Sequence, residues 1–65
     1  MHITAYTPRG IFKSENEPYD ETIYKGYNKV LEGIDTMKYF GIDTTDGHIH
    51  MNKEMIDQSV FTVTK

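Results

Sequence analysis

The chain has 65 residues and no cysteine, which excludes a disulfide framework and a cysteine-ligated zinc or iron–sulfur site. Its seven Lys and Arg residues stand against ten Asp and Glu residues, and the formal net charge of −3 leaves no positive excess to neutralise phosphates, so nucleic acid is disfavoured as a partner. At this length a single core rarely supplies more than about 3–5 kcal/mol. We therefore expect one domain over residues 1–65 with marginal stability, for which a homodimer would bury further apolar surface.

The first part of the chain has the pattern of a short hairpin. Residues 3–6 are rich in β formers and alternate between two faces, which predicts a first strand. The turn signal is Thr7-Pro8-Arg9-Gly10, because Pro8 presets φ at the second turn position and Gly10 tolerates unusual φ values. Residues 11–13 are expected to return along the first strand.

From Pro18 onward the apolar spacing changes to that of a helix, which we predict over about residues 18–33. The stripe on one face of this helix consists of Ile23, Tyr27, Val30, Leu31 and Ile34. Pro18 suits the first helical position, and Gly33 is a natural stop. Asp20 and Glu21 favour the positive end of the helix dipole. Gly26 costs about 1 kcal/mol relative to Ala, so either a close packing contact requires it or the segment is partly extended.

Residues 37–51 contain two alternating runs joined through Asp46-Gly47, which predicts a β-hairpin. A two-residue type I′ turn on Asp46-Gly47 would pair Ile42 with Met51 and Asp43 with His50. A four-residue loop over residues 44–47 would pair Ile42 with Ile49 instead. Both registers keep the same core face, which consists of Phe40, Ile42, Ile49 and Met51.

Asn52 can cap a single helical turn over residues 53–57, and residues 59–64 then alternate as a last strand. The order β-β-α-β-β-(one helical turn)-β indicates an α+β domain with one helix packed on a mostly antiparallel sheet. The succession of hairpin, helical turn and closing strand in residues 38–65 resembles the end of small SH3-like or Sm-like barrels. This resemblance implies a sheet curled into a barrel, and it carries over no ligand or site residue.

The pair His48 and His50 is the clearest candidate for site chemistry. Alternate residues of a strand share a face with Cα atoms about 6.5 Å apart. Either hairpin register adds Asp43 to that face, so a site of two histidines and one carboxylate for a metal ion is one interpretation. The favoured interpretation is a solvated polar strand face, and we expect no metal and no cofactor.

Catalysis is not indicated, because the sequence contains no nucleophile motif, no Gly-rich phosphate loop and no Cys–His arrangement. We therefore expect that the protein is not an enzyme. Its longest apolar runs are pairs such as Val30-Leu31, which predicts no membrane partner and no targeting segment. The expected location is cytoplasmic.

The leading hypothesis is a small non-enzymatic protein-binding module, a regulator or inhibitor that covers a partner protein's surface. In size and style the chain is similar to small accessory proteins of phages and mobile elements. Several tyrosines fall off the predicted core faces. Such exposed tyrosines either mark a binding surface or cover the edge of a small core. The predicted partner-binding residues are Glu15, Glu17, Tyr19, Asp20, Tyr24, Tyr39, Asp43, His48 and His50. The alternatives are a metal- or small-ligand-binding protein and a structural homo-oligomer subunit.

Overall fold

The chain folds into five strands and two helices, described from Met1 to Lys65 in a computed structural model. The elements are β1 (His2–Thr7), β2 (Gly10–Lys13), α1 (Glu21–Glu32), a 3-10 turn (Ile34–Thr36), β3 (Tyr39–Thr44), β4 (Gly47–Asn52), α2 (Lys53–Asp57) and β5 (Val60–Thr64). The predicted α+β class and element order are confirmed. Neither helix has the length and apolar character needed to cross a membrane.

The strands form two antiparallel sheets and no closed barrel. One sheet has the order β2-β1-β5, and the other is the β3-β4 hairpin. The sheets meet where the backbone amide of Glu15 donates a hydrogen bond to the carbonyl of Asp43 at 3.1 Å. Strands β2 and β3 are not paired with each other. The two sheets therefore do not join into the barrel that the SH3-like order implies.

A small hydrophobic core lies between the two sheets and α2. Its buried members are Ala5, Ile42, Met51 and Ile56. Phe40 and Phe61 pack against this cluster, and their rings meet each other edge to face with centroids 5.2 Å apart. Ile42 and Met51 belong to the predicted core face of the hairpin, which is therefore confirmed.

The hairpin register is that of the four-residue loop. Ile42 pairs with Ile49, so the type I′ turn on Asp46-Gly47 is wrong. A type I′ turn needs positive φ at both central residues, and here only Gly47 has it, with φ at 147°. The hydroxyl of Thr44 holds the turn, accepting from the Asp46 amide at 3.3 Å and donating to the Gly47 carbonyl at 3.1 Å.

The β1–β2 turn has the same construction as the β3–β4 turn. The hydroxyl of Thr7 accepts from the Arg9 amide at 3.1 Å and donates to the Gly10 carbonyl at 2.8 Å, and Gly10 has φ at 135°. Both hairpins therefore use a threonine, two central residues and a glycine. A local threonine hydroxyl satisfies backbone groups that the turn would otherwise leave to water.

Helix α1 begins later than predicted, because Asp20 and not Pro18 marks its start. Asp20 is extended, and its carboxylate accepts a hydrogen bond from the Ile23 amide at 3.0 Å. The amide of Glu17, the residue before Pro18, donates a hydrogen bond to the carbonyl of Met1 at 2.9 Å. That pairing keeps Pro18 outside the helix. Gly33 ends the helix as predicted.

The apolar stripe of α1 is only half covered. No residue of α1 is buried, and Ile23 and Val30 remain 44% and 43% exposed. Neither explanation offered for Gly26 holds, since a Cβ there would have no atom within 4 Å and the residue is helical and not extended. The helix therefore contributes little to the core and leaves an apolar surface open to other contacts.

Candidate partner-binding surface

The acidic connection between β2 and α1 lies alongside the start of β1. Ser14 forms two hydrogen bonds with Ile3, one through its amide and one through its hydroxyl, both at 2.8 Å. The Glu17 amide continues this pairing with the carbonyl of Met1. The connection is therefore held as an extended segment, and the backbone bond from Glu15 to Asp43 fixes its other side to β3.

A groove of about 360 Å³ opens between this connection, α1 and β3. Its ten lining residues include no lysine and no arginine. The lining consists of Ile3, Ser14, Glu15, Glu17, Tyr27, Val30, Phe40, Gly41, Ile42 and Asp43. We call it the acidic groove, because apolar residues and the three acidic residues Glu15, Glu17 and Asp43 line it together. Three of the predicted partner-binding residues, Glu15, Glu17 and Asp43, are thereby brought to one place.

Glu17 and Tyr27 form a hydrogen bond between two side chains of the acidic groove. The Tyr27 hydroxyl donates to a Glu17 carboxylate oxygen at 2.6 Å. This hydrogen bond raises the pKa of Tyr27, and burial of the phenol and the negative charge of Glu17 raise it further. The contact ties α1 to the connection and fixes one wall of the groove.

The carboxylates of the groove keep free acceptor capacity. Glu17 uses one carboxylate oxygen for Tyr27, and Asp43 uses one for His48. The side chain of Glu15 makes no hydrogen bond and no ion pair within the chain. Each of the three carboxylates therefore retains at least one oxygen that can accept a bond from outside the protein.

His48 and His50 lie beside the groove on the outer face of the hairpin. The His48 ring contacts the Asp43 carboxylate through Nδ1, and its centroid is 4.4 Å from that of His50. The His48 ring also covers Gly41, where a Cβ would collide with it. The observed register of β3 and β4 places Asp43 directly opposite His48 and not His50.

The alternative ligand set of His48, His50 and Asp43 is not arranged as a metal centre in this structure. No group of three or more His, Cys, Asp or Glu side chains in the chain is arranged to hold a metal ion. Asp43 contacts the nearer histidine, and the two imidazoles face each other at a tilt of 59°. The geometry is that of a polar strand face.

The remaining predicted residues lie elsewhere. The rings of Tyr19 and Tyr24 are 5.8 Å apart, and the Lys65 ammonium lies 5.7 and 5.1 Å from their centroids. Asp20 is used as the cap of α1. Tyr39 is exposed at the far end of β3, opposite Asn52. These residues do not line the acidic groove.

Two features of the surface are absent from the sequence-based prediction. The helical spacing predicts Tyr27 and Val30 on a core stripe, but they line the acidic groove. On the three-stranded sheet, Tyr6 pairs with Ile11 on one side and with Val60 on the other, and all three side chains are exposed. The alternation of β1 places Tyr6 off the core, but only the register reveals this apolar row.

Comparison with protein-family models, curated proteins and solved structures gives no match for this chain.

Proposed function

We propose that the protein is a small non-enzymatic binding module, a regulator or inhibitor that covers part of a partner protein's surface with the acidic groove and the adjoining hairpin face. The observation that supports this most is the convergence of Glu15, Glu17 and Asp43 on one groove with an apolar lining. Carboxylates with free oxygens next to exposed apolar side chains favour the binding of a partner protein at this surface.

Size is consistent with this role. A standard protein–protein interface buries about 800 Å² on each partner. The accessible surface of the chain is 4648 Å², so one such interface would use only a fraction of it. The groove, the half-exposed helix face at Ile23 and Val30, and the hairpin face together offer a contiguous region from which to draw that area.

Affinity capture with charge-matched variants tests the proposal. The double variant Glu15→Gln, Asp43→Asn removes two groove charges, and the control Glu32→Gln, Glu54→Gln removes two exposed charges that form no ion pair. We expect a protein captured from the native host by the wild-type chain to be retained by the control and lost by the groove variant. Equal capture by both variants would argue against the groove as the binding surface.

Self-association is a second candidate, favoured by the exposed row of Ile11, Tyr6 and Val60. No carboxylate lies on that face of the three-stranded sheet, so two copies of an acidic chain can meet there without bringing acidic groups together. Sedimentation velocity over a range of concentrations tests it. We expect a dimer that Tyr6→Ser weakens, and a monomer at every concentration would exclude this surface as a dimer contact.

A further inference from the structure

We infer that the acidic groove receives an arginine side chain presented by the partner protein. This inference rests on the proposed function and adds the chemistry of the occupant. A groove that combines an apolar lining with carboxylates fits a side chain that is apolar along its stem and cationic at its end. Lysine and arginine have that character, and the groove carries no basic residue of its own to oppose either.

The apolar part of the groove accommodates the stem of such a side chain. Ile3 and Val30 supply aliphatic surface, and Phe40 adds an aromatic ring. The volume of about 360 Å³ lies near the lower end of the range for ligand sites, which suits a side chain better than a large cofactor.

The polar part of the groove selects the cationic end. Glu15, Glu17 and Asp43 each keep at least one carboxylate oxygen free of intramolecular hydrogen bonds. Guanidinium presents five N–H donors in a planar fork, so it can satisfy several carboxylate oxygens at once, and its flat face stacks on aromatic rings such as Phe40. An ammonium group has three donors and no planar face. Arginine therefore uses more of the groove than lysine does.

An anionic or neutral occupant does not suit the same lining. Three carboxylates without a compensating lysine or arginine repel phosphate and carboxylate groups. A fully apolar side chain would cover these carboxylates and strip them of water without giving a hydrogen bond in return. Charge complementarity thus points to a cation on an apolar stem.

Peptide titration of the isotope-labelled protein, followed by NMR, tests the inference. The probe is acetyl-Ala-Ala-Arg-Ala-Ala-amide, and the matched control replaces arginine by citrulline, which keeps the shape and removes the charge. We expect the arginine peptide to shift the backbone amides of Ile3, Glu15 and Gly41, with a dissociation constant on the order of 1 mM for a single side chain. The citrulline peptide should leave those amides unmoved.

Charge-removing variants and a lysine peptide test whether the binding depends on the groove carboxylates and on arginine. The double variant Glu15→Gln, Asp43→Asn should weaken arginine-peptide binding by at least about threefold, and Glu32→Gln, Glu54→Gln should leave it unchanged. Added salt of about 1 M, which shortens the Debye length to about 3 Å, should also weaken it. Equal shifts with citrulline, or no shift at the groove amides, would overturn the inference. Equal binding of the lysine peptide would overturn the assignment to arginine.

The two proposals fail separately. If a captured partner depends on Glu15 and Asp43 while the arginine peptide does not bind, the proposed function stands and the arginine inference is wrong. If the peptide binds the groove but no captured protein depends on those residues, arginine recognition stands and the proposed function is wrong.

Discussion

Glu15 and Asp43 are joined by their backbones, with the Glu15 amide donating to the Asp43 carbonyl at 3.1 Å. This bond connects the acidic segment to the hairpin, two surfaces that the sequence predicts separately. Because only backbone atoms take part, the two carboxylate side chains are not needed to hold the segments together. They remain available for an occupant of the acidic groove.

The first prediction is that these carboxylates contribute little to stability. We expect the double variant Glu15→Gln, Asp43→Asn to change the free energy of unfolding by no more than about 0.5 kcal/mol, because the Asp43 contact with His48 is exposed and Glu15 makes none. Glu17→Gln should cost more, since it weakens the hydrogen bond from Tyr27. Urea denaturation measures both. A loss above about 1 kcal/mol in the double variant would assign these side chains a structural role.

Core packing gives the second prediction. Ile42 is 3% exposed and Ile11 is 61% exposed, so the same deletion of one methylene has different costs at the two positions. At a protein concentration where the monomer predominates, we expect Ile42→Val to lower the free energy of unfolding by about 0.5–1.5 kcal/mol and Ile11→Val to change it by less than about 0.5 kcal/mol. Chemical denaturation of the two variants checks this. Similar losses at both positions would mean that the outer row is also buried, as it would be in a dimer.

Two glycines form a matched pair for the third prediction. Neither Gly26 nor Gly47 has an atom within 4 Å of an added Cβ, but Gly26 is helical and Gly47 has φ at 147°. Gly26→Ala should raise the free energy of unfolding by about 0.5–1 kcal/mol through helix propensity. Gly47→Ala should lower it by about 1 kcal/mol or more through backbone strain. Thermal unfolding followed by circular dichroism compares them, and a destabilising Gly26→Ala would mean that α1 is packed or shaped differently.

Tyr27 gives the fourth prediction, which concerns pH. The hydrogen bond to Glu17, burial and the charge of Glu17 raise the pKa of Tyr27 above its usual value of about 10. The folded state then holds the phenolic proton more tightly than the unfolded state does. This contribution to stability is complete below about pH 10 and is lost as pH rises through the folded-state pKa.

The measurement for Tyr27 combines stability with spectroscopy. Urea unfolding at increasing alkaline pH should show a loss of stability in the wild type that is smaller in Tyr27→Phe. Tyrosinate absorbance should show one late-titrating group that is missing from the same variant. Identical pH dependence of the two proteins would contradict the hydrogen bond between Tyr27 and Glu17.

Elements with short-range signals are predicted well from the sequence. Asn52 caps α2 by accepting from the Met55 amide at 2.9 Å, as its position before residues 53–57 predicts. The core face of the hairpin follows from alternation alone and does not depend on the register. The register itself is harder, because Asp46-Gly47 favours a type I′ turn, and the competing signal is the hydroxyl of Thr44.

Features that depend on distant segments are not predictable in this way. The start of α1 is displaced from Pro18 because the Glu17 amide bonds to Met1, a contact that no local pattern reveals. The acidic groove likewise requires the connection to lie against both β1 and β3. Tyr27 fits a helical core stripe equally well by spacing, and only its bond to Glu17 identifies it as a wall of the groove.

Site-specific photo-cross-linking in the native host tests the central claim most directly. Val30, which lines the acidic groove, and Val60, on the outer face of the three-stranded sheet, are both exposed, so each can be replaced by p-benzoylphenylalanine. We predict that the probe at Val30 forms a covalent adduct with a partner protein, that Glu15→Gln, Asp43→Asn removes this adduct, and that the probe at Val60 does not form it. An adduct with that partner from Val60 alone, or an adduct from Val30 that persists without the two carboxylates, would contradict the account.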